Sequence, residues 1–230
     1  MGGHPWRGME LGYAAGGWGS KMTGATQSVE RVATYIDGFN LYHGIREGGR
    51  RHLWLDLEGL VRSLLKPGQR LVAVRYFTAP VRNDPRALSR QQVYWNALGA
   101  HSTLLEVRLG RFQQKSKRCL SCGSSWFEYE EKESDVALGA ALVADGAMEL
   151  FDTAMIVSAD SDMASAIREL KSLRPAARVI AAFPPNRNSS ELKRACDAFI
   201  RIGAAKIRQA QLPETVPAGD HSIARPDHWK

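Results

Sequence analysis

Three segments of this 230-residue chain place acidic or amide side chains where a strand is expected to turn into a helix. RVATYID (31–37) is a short β-rich run that leads into Asp37-Gly38-Phe39-Asn40. TAMIVSAD (153–160) is an apolar run that leads into Ser158-Ala159-Asp160-Ser161-Asp162. Between them, Asp135 opens an Ala- and Leu-rich helix expected over 133–150. In open α/β sheets ligands bind beyond the carboxyl ends of the strands. Asp37, Asp135 and Asp160 are therefore expected to converge, with Asn40 and Asp162 beside them. Carboxylates held close together repel, so such a cluster calls for a cation. An all-oxygen donor set favours Mg²⁺ or Mn²⁺ over Zn²⁺. Taken singly, the same residues have plainer readings: Asp162 as a helix cap, Asp135 as a charge favoured by the helix dipole. Asp145 lies almost three turns beyond Asp135, too far to share its ion, and is expected to be solvated.

Two further constellations carry chemistry. Arg108, Arg111, Lys115, Lys117 and Arg118 form a basic run without an intervening acid, and Glu128, Glu130, Glu131 and Glu133 follow it. The run either tracks a phosphate backbone or is solvated and paired with the acids across a hairpin. Lys132 has the same two readings, a phosphate contact or a solvated lysine. Arg90, Gln91 and Tyr94 share a helix and are candidate substrate contacts, Tyr94 either stacking a base or facing the core. Cys119-Leu120-Ser121-Cys122 is half of a structural zinc site, which needs four ligands. His43, His52 or His101 could complete it, as could a symmetry mate, which would make the protein a homodimer. A reversible disulfide and a vestigial ribbon are the other readings.

The elements that must position these residues alternate along the chain. Strands are expected at 31–37, 70–80, 102–112, 153–158, 177–185 and 198–202. Helices are expected at 55–65, 84–99, 133–150, 162–173 and 189–197. Strands alternating with helices of this length imply βαβ units and a mostly parallel sheet with helices on both faces. Residues 1–29 are glycine-rich and without a period, and read as a flexible arm. Residues 212–230, with three prolines, read as a flexible tail. The domain is then 30–211, with 108–130 as a basic hairpin insertion carrying the cysteine pair.

Composition narrows the class. Hydrophobic residues make up 44% and charged residues 24%, an ordinary globular balance. Three cysteines are too few for a disulfide framework and point to a reducing compartment, the cytoplasm. No apolar run approaches the roughly 20 residues that span a bilayer, so no membrane partner is expected. The formal charge is +7, and it lies wholly within 30–211 because the arm (+1) and the tail (−1) cancel. That bias suits a polyanionic partner.

The acidic segments resemble the NYN domain, a branch of the PIN-like nuclease superfamily. The likeness rests on YIDGFNLYHG (35–44), EKESDVALGAALVADGAMELFDTAMIVSADSDM (131–163) and PP-x₄-S-x-x-L (184–192). YFTAPVRNDPRALSRQQVYWNAL (76–98) is similar to one bacterial subgroup, and together these segments cover about residues 31–212. Ala159 departs mildly, standing where many members carry Gly or Asn. The resemblance implies a PIN-like three-layer α/β sandwich, a divalent-metal pocket and hydrolysis of RNA phosphodiesters. Asp37, Asp135, Asp160 and Asp162 match the metal-binding acids, and Asn40 matches the amide of the first motif. Many relatives carry a Cys pair where Cys119 and Cys122 stand. The rival is an RNA-binding or scaffold protein whose acids hold metal with little turnover. A phosphatase-like aspartyl nucleophile fits poorly, because Asp37-Gly38-Phe39 lacks the second acid such enzymes carry two residues on.

Overall fold

A computed structural model describes residues 29–82, 84–132 and 134–229; within it, only the backbone is described for 111–115 and 127–132. All of the expected N-terminal arm except Val29 lies outside the described residues. β1 (Glu30–Asp37) runs straight into α1 (Gly38–Arg46), and α2 (Leu57–Arg62), β2 (Gln69–Thr78), α3 (Pro85–His101) and β3 (Leu105–Leu109) follow. β4 (Arg111–Arg118) and β5 (Ser125–Lys132) come next, then α4 (Ser134–Ala147), β6 (Thr153–Val157) and α5 (Met163–Leu173). The chain continues through β7 (Arg178–Phe183), α6 (Ser190–Ala195), β8 (Ala198–Arg201), α7 (Ala204–Gln209), β9 (Thr215–Ala218) and β10 (His221–Ala224).

Six strands form one sheet in the order β3-β2-β1-β6-β7-β8, with every neighbouring pair parallel. Helices cover both faces, which is why β1, β6 and β7 are buried almost end to end and read as apolar runs rather than alternating ones. On one face α1, α2, α3 and α7 pack Leu41, Leu60, Leu98 and Ile207 around Trp54. On the other, α4, α5 and α6 contribute Leu142, Ile167 and Leu192. This is the three-layer, PIN-like sandwich that the sequence implied. The chain leaves β1 towards β2 on one side and returns through β6 on the other. The topological switch point, where such sheets bind ligands, is thus the β1/β6 crevice.

The structure departs from the sequence expectations at four places. The segment 102–112 is two strands: Gly110 bonds back to the Thr78 carbonyl (2.7 Å) as β3 ends, and β4 turns away to pair with β5. Residues 212–229 are no loose tail. β9 and β10 form a hairpin, and Leu212, Val216 and Trp229 are buried against the Trp54 face. The Trp229 ring lies 5.8 Å from Tyr94 and 6.3 Å from Trp54, so an apolar docking surface overrides three prolines and a polar composition. Helix α1, which carries two glycines, was not expected. Asp37 caps it by accepting from the Asn40 N–H (3.0 Å), and Leu41 and Ile45 anchor it in the core. Asp145, expected in solvent, is buried and joined to Arg75 and Tyr35.

Candidate active site

At the switch point the acids are wired together by short polar links. Asp37 ends β1 and is 6% exposed. Its Oδ2 accepts from the Asn40 Nδ2 (2.7 Å) and from the Ser158 hydroxyl (2.8 Å). Ser158 in turn accepts from the Asp160 N–H (3.0 Å), and the Asp160 Oδ1 accepts from the Asp162 N–H (2.9 Å). Asn40 Oδ1 accepts from the Ala159 N–H (3.3 Å), tying the β1 turn to the β6 turn. Both ends of the Asn40 amide are thus committed. It positions Asp37 and the loop after β6 rather than reaching towards a ligand.

Asp135 enters from α4, on the opposite wall. Partial burial and repulsion from Asp37, Asp160 and Asp162 push its carboxyl up to about 6. Asp135 thus lies within electrostatic reach of Asp37, Asp160 and Asp162, but among the described residues no three carboxylates, histidines or cysteines are grouped closely enough to hold an ion. The neighbouring Ser134 hydroxyl is buried and lacks a partner among the described residues. Asp162 stands at the N-cap position of α5 but makes no side-chain cap bond, so the capping reading of this residue fails.

Gly38 fixes how closely β2 passes the site. A Cβ there would meet the Phe77 carbonyl oxygen at 2.7 Å and the Tyr76 ring at 2.9 Å. The residue after Asp37 must therefore be glycine for β1 and β2 to end side by side.

A family model described as the NYN domain matches residues 31–203. The chain belongs to the NYN domain family. The family is nuclease-like, so the coarse class is a hydrolase acting on nucleic acid. Among curated proteins, the chain is 28% identical to 6-hydroxy-3-succinoylpyridine 3-monooxygenase HspA of Pseudomonas putida, over 86% of this chain and 75% of that one. Among solved structures it is similar to a protein of unknown function from Vibrio parahaemolyticus, with a TM-score of 0.50 and 19% identity. That match spans 77% of this chain and 95% of the other, and supports the fold.

The remaining candidate residues of this NYN domain separate by environment. Tyr94 is buried beside Trp54 and Trp229, and its hydroxyl donates to the Leu55 carbonyl (2.7 Å), which fixes its ring. Gln91 accepts from the Val81 N–H (2.8 Å) and donates to the Ala79 carbonyl (2.9 Å), so it pins the loop after β2. Arg90, half-buried on the same helix, has no hydrogen bond or ion pair with a described residue. In the β4–β5 hairpin only Lys115 of the basic run stands opposite an acid, Glu128; Arg111 faces Lys132, Lys117 faces Trp126 and Arg118 faces Ser125. The Arg118 guanidinium donates to the Gly123 carbonyl (3.3 Å) at the hairpin tip. The side chains of Arg111, Lys115 and Lys132 lie outside the described residues.

Cys119 and Cys122 sit on that tip as free thiols. Hydrogen bonds from Ser124, then from Cys119, hold the Cys122 thiol down to about 7. Of the histidines considered for a zinc site, His101 lies 3.4 Å from Asp56, and the His43 ring meets Tyr42 edge-on. Burial and the nearby Arg51, Arg208 and Arg225 depress the His52 pKa.

Sequence reasoning missed Ser158, which is fully buried and joins Asp37 to Asp160. Its signal was a hydroxyl closing an otherwise apolar strand.

Proposed function

We propose that this protein is a metal-dependent ribonuclease whose centre is Asp37, Asp135, Asp160 and Asp162. The observation that carries the reading is the uncompensated charge. Asp135 feels burial and three other carboxylates, with no cationic side chain among the causes of its shift. Among the described residues no three carboxylates, histidines or cysteines are grouped closely enough to hold an ion, so an entering ion would have to draw these acids together. An open group of hard oxygens fits Mg²⁺ or Mn²⁺, ions that keep several waters, better than Zn²⁺. When bound, such an ion supplies Lewis-acid activation of water and screens the charge that develops on the phosphate.

The chain's own residues do the rest. The Asp37 carboxylate is held by Asn40 and Ser158, and the Asp160 carboxylate by the Asp162 N–H. Asp135 and Asp162 close the ring from two helices. Lys117 and Arg118, with Arg111, Lys115 and Lys132 along the same hairpin, are offered to the RNA backbone. The partner is RNA, in the cytoplasm. No described helix is long and apolar enough to cross a membrane.

Asp160→Asn tests the reading. Mn²⁺-dependent cleavage of RNA is expected to fall by more than about a hundredfold while thermal unfolding is unchanged. Equal cleavage by both proteins rules out these acids as the catalytic centre. RNA binding without turnover in the native protein leaves the scaffold alternative. A second reading, hydroxylation of a small aromatic acid, comes from the curated relative's name and is favoured by an aromatic cavity beside Asp37. Oxygen uptake that depends on 6-hydroxy-3-succinoylpyridine is the result that selects it.

A further inference from the structure

A cavity of about 380 Å³ lies between α1 and α3, within the roughly 300–1,000 Å³ range of small-ligand sites. Phe39, Tyr76, Tyr94 and Trp229 form aromatic parts of its wall. Arg46, Arg50 and Arg90 border it, against a single acid, Asp84. Asp84 Oδ1 is taken up by the Ala87 N–H (2.9 Å) as the cap of α3. Arg50 is joined to the His228 ring (2.8 Å). Arg46 and Arg90 have no polar partner among the described residues. Flat apolar walls with unpaired guanidiniums at the rim match a planar ring that carries an anionic group.

The cavity adjoins the acids. Gly38 and Phe39, which line it, follow Asp37 directly. Tyr76 lines it as well, and its hydroxyl, pushed up to about 12 first by burial, also feels the Asp37 charge. The last described residues of the chain build the far wall. The Arg225 guanidinium donates to the Trp229 carbonyl (2.5 Å) and to the Arg51 carbonyl, fastening Trp229 over the opening.

We infer that this cavity is a subsite for one nucleotide of the RNA strand, the base among the aromatic rings and its phosphate at Arg90 and Arg46. The choice of ligand rests on the ribonuclease reading; the shape and charge of the cavity do not. A strand seated here presents its adjoining phosphodiester to Asp37. The subsite therefore selects single-stranded RNA, because a base paired within a duplex is not free to seat among the rings.

The test is equilibrium binding of adenosine and uridine 5′-monophosphates to the full-length Asp160→Asn protein in EDTA, where neither metal nor cleavage contributes. Saturable binding is expected, weakened about tenfold or more when ribose 5-phosphate replaces the nucleotide. Arg90→Ala should weaken it about tenfold as well. Trp229→Phe, which keeps a ring in the core, should weaken it less than Trp229→Ala. Ribose 5-phosphate binding as tightly as the nucleotides would reduce the cavity to an anion site and overturn the inference. Absence of saturable nucleotide binding would overturn it too, as would displacement of the nucleotide by pyridine-3-carboxylate at lower concentration. Nucleotide binding here, together with no RNA cleavage by the native protein in Mn²⁺, would break the ribonuclease reading and leave the subsite standing.

Discussion

Two carboxylates on the same helix show what distinguishes an acid that holds the fold from one that awaits a ligand. Asp145, near the end of α4, is 4% exposed and fully partnered. The Arg75 guanidinium donates to both of its oxygens, one at 2.9 Å, and the Tyr35 hydroxyl adds a bond of 2.7 Å. Glu58 is a second acid of this kind. Burial opposes its charge, but the N–H groups of Leu104 and Thr103 and the Arg62 guanidinium outweigh it and hold its pKa low. Asp135, at the start of α4, is the opposite case: it sits nearer solvent and is still raised, because what surrounds it is burial and other acids. Buried charge is stable in a fold only when compensated. Where three segments deliver acids without a base, the proposed cation would supply the compensation.

Removing one acid of each kind separates the two regions. Asp145→Ala leaves Arg75, whose side chain is 15% exposed, without its buried partner, and should cost about 3–5 kcal/mol in chemical denaturation. Asp160→Asn removes a repulsive charge and should leave the midpoint unchanged or raised. A loss below about 1 kcal/mol for Asp145→Ala would show that the Arg75 contact with Glu106 suffices, and would blur the contrast.

A second, smaller effect is pH-linked. The folded Asp135 binds its proton more tightly than an unfolded aspartate, since its pKa rises from 3.8 to about 6. In the metal-free protein Asp135 therefore contributes a loss of stability as pH climbs between those values, read as the difference from Asp135→Asn. An added cation must reverse that trend. Mn²⁺ at about 100 times its dissociation constant stabilises by about 2.7 kcal/mol. The thermal shift it produces should be large at pH 7.5 and shrink as pH falls through 6, when Asp135 takes up its proton. A Mn²⁺ shift of equal size at pH 5 and pH 7.5 would place the ion somewhere other than this ring.

The contrast also explains which features were legible in the sequence. Asp37 and Asp160 were readable because a parallel sheet gathers strand ends at one edge, and the switch point brings β1 and β6 together whatever the loops do; Asp135, at the start of α4 after the separate β4–β5 hairpin, rested on the resemblance. The spacing of Asp145 from Asp135 excluded a shared ion, yet its partners stand on β1 and β2, and only the folded sheet brings them within reach. The segment from Leu212 failed for the same reason. Prolines and polar residues describe its own conformational cost, whereas Trp54 and Tyr94 supply the surface that recruits Trp229. Local signals named the acids. Distant partners decided whether each was neutralised.

Asp162 gives the smallest and sharpest version of the comparison. An aspartate just before a helix is ordinarily a cap, and removing a cap costs about 1 kcal/mol. Asp37 and Asp56 behave this way, each accepting from an N–H three residues on, at 3.0 and 2.9 Å. Asp162 does not: its side chain makes no cap bond, and its backbone conformation is already helical, with φ −66° and ψ −24°. Asp162→Ala should therefore change unfolding by less than about 0.5 kcal/mol, the range of an uncommitted surface position. The same substitution should diminish the Mn²⁺ thermal shift at pH 7.5, because a donor is lost from an open ring. A stability loss near that of a true cap, with the Mn²⁺ shift intact, would move Asp162 out of the metal centre and into the scaffold beside Asp56.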